Sequence, residues 1–236
     1  MKDKFVFDVD GTLTPSRGLI DSQFKEFMLE FSAHNDVYLV TGSDYPKTVE
    51  QVGIDLAMSV QRIYNCSGND VWEQGKNIYT NDWKIPAEAE QWLREEMAIS
   101  KFPLRTGLHL EDRPGMCNFS VVGRNATLGE RKLYVEWDNK TEERVSIAKL
   151  FKQKFPDIEA VVGGETGIDI FPVGADKSQI KKDFEQSDRI VFFGDRMDVD
   201  GNDHPLMIAN VNGLNYPVKG WQDTWNKLNA YISNGS

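Results

Sequence analysis

The first 68 residues alternate short apolar runs with amphipathic stretches, and this alternation limits the architectures open to the chain. Three apolar runs predict buried strands, namely KFVFDVDG, DVYLVTGSD and RIYNCSG. Between them, residues 21–32 and 45–53 carry apolar side chains at helical spacing. Strand, helix, strand, helix and strand in this order predict a parallel sheet of the α/β class.

The middle of the chain has a different pattern of predicted helices and strands. Residues 86–100 and 143–155 predict helices. Alternating apolar and polar residues predict antiparallel strand pairs at 104–112 with 116–124 and at 158–164 with 166–172. After Pro172 the alternation of helices and strands resumes, with a helix predicted over residues 177–187. We therefore predict a catalytic core of residues 1–80 and 173–236, interrupted by an α+β cap of residues 81–172.

Charge and composition narrow the function classes. The net charge of −10 argues against a general nucleic-acid binder, which usually carries a basic face. No apolar run approaches the ~18 residues of a membrane helix, and the polar first residues do not fit a signal peptide. Two cysteines are too few for a disulfide scaffold. We expect a cytoplasmic protein with no nucleic-acid or membrane partner.

Polar side chains follow four of the predicted core strands or the turns beyond them. They are Asp8 and Asp10, Thr41 and Ser43, Lys177, and Asp195 with Asn202 and Asp203. Ligands of open α/β sheets bind beyond the carboxyl ends of the parallel strands, where these residues would meet. Carboxylates hold Mg²⁺, attack phosphorus and move protons, while a lysine and a hydroxyl neutralise phosphoryl oxygens. The set predicts metal-assisted phosphoryl transfer.

A calcium-binding loop is the simplest competing interpretation of the acidic motifs. A twelve-residue calcium loop that starts at Asp8 would need a carboxylate at Leu19. A loop that starts at Asp198 would need glycine where Asp203 stands. Because both tests fail, the ordered set of strand-end residues favours an enzyme.

The same motifs carry a family resemblance. DVDGT, TGSD, a late lysine and FFGD…GND resemble the four motifs of the haloacid-dehalogenase-like (HAD) phosphotransferases. Within that superfamily the chain resembles the eukaryotic-type phosphomannomutases from about residue 4 to residue 218. The segments in that family's order are FDVDGTLTPSR, GSDYPKTVEQVG, RPGMCNFSVVGR, GER, GIDIFPVGADK and FFGDR…GNDH. The resemblance implies a HAD-like Rossmannoid core with an inserted α+β cap of the C2 type.

The resemblance also implies roles for the strand-end residues. Asp8 would be the nucleophile and Asp10 the general acid/base, and Mg²⁺ would bind Asp8, the Asp10 main-chain carbonyl and Asp195. The transferring phosphoryl group would be held by Thr41, Ser43 and Lys177, and which hydroxyl contacts it stays open. Asn202 and Asp203 would support the metal or orient Lys177.

Sugar-phosphate recognition in that family falls to arginines. The matching positions here are Arg17, Arg113, Arg124 and Arg131, and Asp169 matches a carboxylate that binds sugar hydroxyls. The planar guanidinium suits this task because it binds phosphate bidentately and stays charged.

The chain departs from the family pattern in two places, one residue and one segment. Gly167 stands where the family usually has a serine, which would remove one hydroxyl contact worth ~1 kcal/mol. The segment HPLMIANVNGLNYPV contains no aspartate for the family's second cation site. We expect looser sugar specificity, with the chemical step intact.

The resemblance implies a phosphomannomutase that interconverts mannose 6-phosphate and mannose 1-phosphate and supplies GDP-mannose synthesis. It would work through phospho-Asp8, with hexose 1,6-bisphosphate as activator, and would form a homodimer through the cap. Two alternatives stay open. One is a Mg²⁺-dependent sugar-phosphate phosphatase, which Gly167 and the missing second cation site motivate. The other is a catalytically silent module that binds Mg²⁺ or sugar phosphate. The preference between mannose and glucose phosphates also stays open.

Overall fold

The chain forms two compact units in a computed structural model that describes residues 2–199 and 201–234. The core unit comprises Met1–Thr80 and Ala175–Ser236, and the cap unit comprises Asn81–Gly174. The second boundary lies two residues beyond the predicted one at residue 172, because the Val173 N–H still donates to the Asp157 carbonyl at 3.2 Å. Across the described residues, none of the helices has the length and apolar composition needed to cross a bilayer.

The elements follow one another along the chain in this order: β1 (Asp3–Phe7), α1 (Ser22–His34), β2 (Asp36–Val40), α2 (Tyr45–Val52), α3 (Ile54–Ser59), β3 (Arg62–Asn65), β4 (Asp70–Glu73), β5 (Lys76–Thr80), α4 (Ala87–Ile99), β6 (Leu110–Arg113), β7 (Met116–Phe119), α5 (Leu128–Thr141), α6 (Glu143–Lys154), β8 (Ile158–Gly163), β9 (Gly167–Pro172), β10 (Arg189–Gly194), α7 (His204–Ala209), β11 (Leu214–Pro217) and α8 (Trp221–Asn234). Short 3₁₀ segments cover Cys66–Gly68 and Lys177–Asp183.

The core sheet has the strand order β11–β10–β1–β2–β3–β4–β5. The strands from β11 to β3 run parallel, and β4 and β5 add an antiparallel hairpin at one edge. Alternate residues of β1 face opposite sides: Phe5 and Phe7 pack in one apolar cluster and Val6 in another. Because both faces of the sheet are covered, β1 and β10 are buried and apolar over residues 5–7 and 190–193, as in most parallel sheets. The predicted α/β class and its parallel sheet are confirmed.

Helix α1 begins where the sequence predicts. The Asp21 carboxylate accepts hydrogen bonds from the N–H groups of Gln23 and Phe24, which satisfies free donors of the first turn. Its buried face, including Phe24 and Met28, packs against the sheet beside α8. Helix α2 ends at Val52, and Gly53 caps it with a φ of 85°, which favours glycine.

The segment after the cap differs from its predicted helix over residues 177–187. It is a 3₁₀ segment that ends at Asp183, and the Gln179 N–H bonds three residues back to the Asp176 carbonyl at 3.1 Å. Phe184 takes an extended conformation, and its ring packs edge-on against Tyr38. This packing removes Phe184 from any longer helix.

The cap unit is a four-stranded antiparallel sheet with helices on one face. Its strand order is β6–β7–β9–β8, and Cys117 and Phe119 of β7 join the apolar cluster that α4, α5 and α6 cover. Helix α5 was not predicted, although Thr127 and Glu130 form a capping box at its start. Successive side chains alternate along a strand, so Asn118 lies on the opposite face of the sheet.

Candidate active site

A buried ion-pair cluster lies at the carboxyl end of β1. Asp8 directly follows that strand, and the Lys177 ammonium group donates to Asp8 Oδ1 at 2.5 Å and to Asp203 Oδ1 at 2.7 Å. All three side chains are almost completely buried. Burial alone would lower the pKa of Lys177, but the Asp203 and Asp8 carboxylates outweigh it and raise that pKa. Lys177 is therefore a permanently charged group against the predicted nucleophile.

A third carboxylate completes the cluster. Asp195 follows β10, and one oxygen from each of Asp8, Asp195 and Asp203 lies within 4.8 Å of the others. Burial, followed by repulsion from Asp203, raises the pKa of Asp195 to about 6. Burial is also the main cause that raises the pKa of Asp8, with Asp203 and Asp195 adding to it and Lys177 opposing it. A divalent cation would relieve this crowding.

The donor set fits a hard cation such as Mg²⁺. Its ligands would be carboxylate oxygens, which that ion prefers. Gly11 leaves room for the Asp195 carboxylate, because a Cβ at this position would lie 2.4 Å from Asp195 Oδ2. Both oxygens of Asp203 are already engaged, since Oδ1 accepts from Lys177 and Oδ2 accepts from the Arg196 N–H at 3.0 Å. Of the two roles left open for Asp203, this geometry favours the orientation of Lys177.

Asp10 lies in the turn after β1 and is held by three donors. Its Oδ1 accepts from the Arg17 N–H at 2.5 Å and from Gln51 Nε2 at 2.9 Å. Its Oδ2 accepts from the Ser43 hydroxyl at 3.3 Å. Both oxygens of the carboxyl group that was predicted to move the proton therefore accept hydrogen bonds, which fix its orientation.

The loop after β2 carries the two predicted hydroxyl groups. Thr41 is buried, and its Oγ1 accepts the Ser43 N–H at 3.1 Å, whereas the Ser43 hydroxyl donates to Asp10. The loop is braced by the 3₁₀ segment after β3, because the Ser67 N–H donates to the Thr41 carbonyl at 2.8 Å. The hydroxyl groups of Thr41 and Ser43, which the sequence could not distinguish, therefore have different hydrogen-bond partners.

The side chains of the two remaining predicted core residues, Arg17 and Asn202, lie outside the cluster of Asp8, Lys177, Asp195 and Asp203. Arg17 is exposed, and its φ of 57° places it in the left-handed region. Asn202 is half-buried beside Asp203. Within residues 2–199 and 201–234, the Asn202 side chain makes no hydrogen bond to the three carboxylates. The predicted role of Asn202, to support the metal or orient Lys177, stays a prediction.

The cap unit brings two of its predicted arginines together. Arg113 Nη2 and Arg124 Nε both donate to Glu111 Oε2, at 2.8 Å and 2.6 Å. Burial would raise the pKa of Glu111, but the two guanidinium groups lower it below its usual range. Two guanidinium groups thus converge on one carboxylate, an arrangement that charge-assisted hydrogen bonds make strong.

The other two predicted cap residues, Arg131 and Asp169, lie in the same unit. Arg131, on α5, is nearly buried and donates through Nη2 to Glu165 Oε2 at 3.2 Å. Asp169, on β9, accepts from Asn118 Nδ2 on β7 at 2.6 Å. A Cβ at Gly167 would lie 2.6 Å from the same Asn118 nitrogen, so Asn118 occupies the space that a side chain at residue 167 would need.

Comparison with known proteins identifies the family of this chain. A sequence profile described as "Eukaryotic phosphomannomutase" matches residues 24–234. The chain is 31% identical to "Probable phosphomannomutase" from Caenorhabditis elegans, an alignment that covers 93% of this chain and 91% of the relative. It is 30% identical to "Phosphomannomutase" from Saccharomyces cerevisiae, covering 93% and 90%. The chain belongs to the eukaryotic phosphomannomutase family.

The fold agrees with that membership. A solved haloacid dehalogenase-like hydrolase from Bacteroides thetaiotaomicron superposes with a TM-score of 0.56 at 14% identity, covering 90% of this chain and 87% of that one. At this identity the likeness shows the fold alone. The predicted family resemblance and the predicted HAD-like fold are both confirmed.

Four polar residues of this phosphomannomutase-family chain contact predicted site residues and were not predicted from the sequence. They are Gln51 on Asp10, Glu111 on the two arginines, Asn118 on Asp169, and Glu165 on Arg131. Gln51 and Thr48 lie on the buried face of α2, and polar residues at core-facing positions of a helix could have been noticed in the sequence. Glu111 and Asn118 carry no such signal, because only the pairing of β6, β7 and β9 sets their neighbours.

Proposed function

We propose that this protein is a phosphomannomutase that interconverts mannose 6-phosphate and mannose 1-phosphate through phospho-Asp8. The observation that carries the proposal is the buried Lys177 ammonium group 2.5 Å from Asp8 Oδ1, within a cluster of three carboxylates. Membership of the eukaryotic phosphomannomutase family supports the choice of substrate.

In the proposed first half-reaction, a carboxylate oxygen of Asp8 attacks the phosphorus of a hexose 1,6-bisphosphate. The bond between phosphorus and the sugar oxygen breaks, and Asp10 gives its proton to that oxygen. Lys177 compensates the negative charge on the phosphoryl oxygens. We assign the hydroxyl contact to Thr41, because the Ser43 hydroxyl already donates to Asp10. The second half-reaction reverses these steps on the other hydroxyl of the sugar.

Mg²⁺ is the proposed cofactor, and Asp8 and Asp195 are its proposed side-chain ligands. When bound, the ion would neutralise the crowded carboxylates and polarise the phosphoryl group. The convergence of three carboxylates and the raised pKa values of Asp8 and Asp195 support a cation at this position.

In the cap, Arg113 and Arg124 are proposed to bind the phosphate that is not being transferred. They would exchange the shared Glu111 carboxylate for phosphate oxygens, which provide more acceptors for two guanidinium groups. Arg17 and Arg131 are proposed to add positive charge, and Asp169 to accept sugar hydroxyls. Arg131 Nε and Nη1 are buried without a partner among the described residues, which is consistent with a role in binding an anion.

The dimeric state is also part of the proposal. Leu128 and Leu133 of α5 are 86% and 53% exposed, and aliphatic surface of this kind on the cap fits the predicted homodimer. Light scattering on the purified protein tests it, and a monomer at micromolar concentration would rule it out. The predicted cytoplasmic location and the supply of GDP-mannose synthesis rest on family membership alone.

The proposed activity is tested with Mg²⁺, mannose 1-phosphate and a trace of hexose 1,6-bisphosphate, while mannose 6-phosphate and free phosphate are followed together. We expect mannose 6-phosphate with little free phosphate, and Asp8→Asn should abolish it without unfolding the protein. Free phosphate without the isomer would instead establish the phosphatase alternative. Neither product, with an intact fold, would favour the silent binding module.

A further inference from the structure

Gln51 is a buried glutamine whose position packing alone does not explain. It lies on α2 with 1% of its surface exposed. Its Nε2 is 2.9 Å from Asp10 Oδ1, 3.3 Å from Thr14 Oγ1 and 3.4 Å from the Gly18 carbonyl oxygen. Its Oε1 is buried and has no hydrogen-bond partner in the part of the chain that the structure describes. An unsatisfied buried amide oxygen costs ~1–3 kcal/mol, so a purely structural role would favour an apolar side chain.

The contacts of Gln51 join α2 to the loop that carries Asp10. Its side chain reaches Asp10 near the start of the loop and Gly18 near the end. Its main-chain carbonyl accepts the Ile20 N–H at 2.9 Å. Apart from Gln51, Asp10 is held by the Arg17 N–H of the same loop and by the longer contact with Ser43 at 3.3 Å. Gln51 is therefore the link through which a regular helix fixes the direction of the Asp10 carboxyl group.

We propose that Gln51 is a positioning residue that aims the Asp10 carboxyl group at the leaving oxygen. This inference rests on the proposed chemistry of Asp8 and Asp10. As Asp8 Oδ bonds to phosphorus, the electron pair of the breaking P–O bond goes to the leaving oxygen, which takes the Asp10 proton. In the reverse half-reaction, the attacking hydroxyl returns its proton to Asp10 as its oxygen bonds to phosphorus, and the bond between phosphorus and Asp8 Oδ breaks with its electron pair returning to the Asp8 carboxylate. Both transfers need the carboxyl group within hydrogen-bond reach of the same oxygen.

Leaving-group dependence separates this role from a structural one. A sugar hydroxyl is a poor leaving group and needs the Asp10 proton, whereas p-nitrophenolate leaves without one. Gln51→Met keeps the length of the side chain and removes the donor. With Mg²⁺ present, we expect this variant to slow single-turnover release of sugar phosphate from glucose 1,6-bisphosphate by ~10²-fold, since general acid catalysis contributes ~10²–10⁴-fold. The burst of p-nitrophenolate from p-nitrophenyl phosphate should fall by less than ~3-fold, because P–O cleavage there needs no proton donor.

Thr48→Val provides a matched control on the same helix. The Thr48 hydroxyl is buried and donates to Asn65 Oδ1 at 2.8 Å, without touching Asp10. We expect this variant to lose stability. The rates with glucose 1,6-bisphosphate and with p-nitrophenyl phosphate should keep their wild-type ratio. If Gln51→Met slows the reactions of glucose 1,6-bisphosphate and p-nitrophenyl phosphate equally, the proposal is overturned and Gln51 is a structural residue.

A double variant tests whether Gln51 acts through Asp10. Once Asp10→Asn has removed the acid, adding Gln51→Met should slow sugar-phosphate release by no more than ~2-fold, because two residues of one unit are not additive. Additive losses would overturn the proposal. If Gln51→Met does not fold, Gln51→Leu also removes the donor and should separate the rates of the two substrates in the same way. A wild-type protein that gives no p-nitrophenolate burst would overturn the Asp8 chemistry and this inference together. A burst with unequal slowing but no mutase activity would overturn the mutase alone.

Discussion

Replacement of Lys177 by methionine is the sharpest test of the buried cluster. The ammonium group is 0% exposed and makes two charge-assisted hydrogen bonds, at 2.5 Å to Asp8 and 2.7 Å to Asp203. Two such bonds at ~1.5–3 kcal/mol each give ~3–6 kcal/mol. Breaking a buried ion pair costs ~3–5 kcal/mol, because the partner charge stays buried. We therefore expect Lys177→Met to lower the free energy of unfolding by about 4 kcal/mol, a large share of the ~5–15 kcal/mol that is usual.

The assay is urea unfolding near neutral pH with a chelator present, so that no cation replaces the lost ammonium group. Lys182→Met is the matched control, because Lys182 lies in the same 3₁₀ segment but is exposed over the Tyr79 ring. We expect the control to change the unfolding free energy by no more than ~0.5 kcal/mol. If Lys177→Met costs as little as Lys182→Met, the reasoning about the buried cluster is refuted.

A second variant separates charge from packing. Combining Lys177→Met with Asp203→Asn removes one of the carboxylates left unpaired, so stability should recover by more than ~1 kcal/mol. A further loss in the double variant would mean that the lysine stabilises the fold through its packing. The Mg²⁺-loaded Lys177→Met enzyme should also lose ~10²-fold or more in kcat, since its charge compensation in the transition state is gone.

Three further outcomes follow from other parts of the molecule. The pKa of Asp195 is raised to about 6, so the metal-free folded state holds more protons than the unfolded chain, and its stability should fall as pH rises toward 6. Mg²⁺ should accordingly raise Tm more near ~pH 7 than near ~pH 5, and calorimetry showing the reverse would contradict a carboxylate site. Arg124→Ala should raise KM for mannose 1-phosphate ~10–100-fold, corresponding to ~1.5–3 kcal/mol, and should raise KM for p-nitrophenyl phosphate far less. Equal increases in the two KM values would refute the proposal that the cap arginines recognise the sugar phosphate. Thr127→Ala removes the capping box of α5 and should cost ~1 kcal/mol in urea unfolding, whereas an unchanged midpoint would show that this helix end does not limit stability.

The sequence was enough to predict the active edge of the core sheet. Asp8 and Asp195 each follow an apolar strand, and parallel strands place their carboxyl ends at one edge, so convergence followed from strand order. Helix α1 was predictable for a local reason, because its cap at Asp21 and its apolar face involve residues within a few positions of one another. Helix α5 has an equally local signal in the capping box of Thr127 and Glu130, so its start was also predictable from the sequence.

What the sequence alone determined about this protein is its fold class, the family motifs and the edge of the sheet where chemistry takes place. Only the tertiary structure decided which side chains meet there. Lys177 meets Asp8 across 169 positions, and Gln51 meets Asp10 across 41. Asn118 fills the space beside Gly167 because β7 and β9 pair in one particular register. Periodicity and capping depend on neighbours in the chain, whereas the partner of a buried polar group depends on packing between distant segments, which no local pattern encodes.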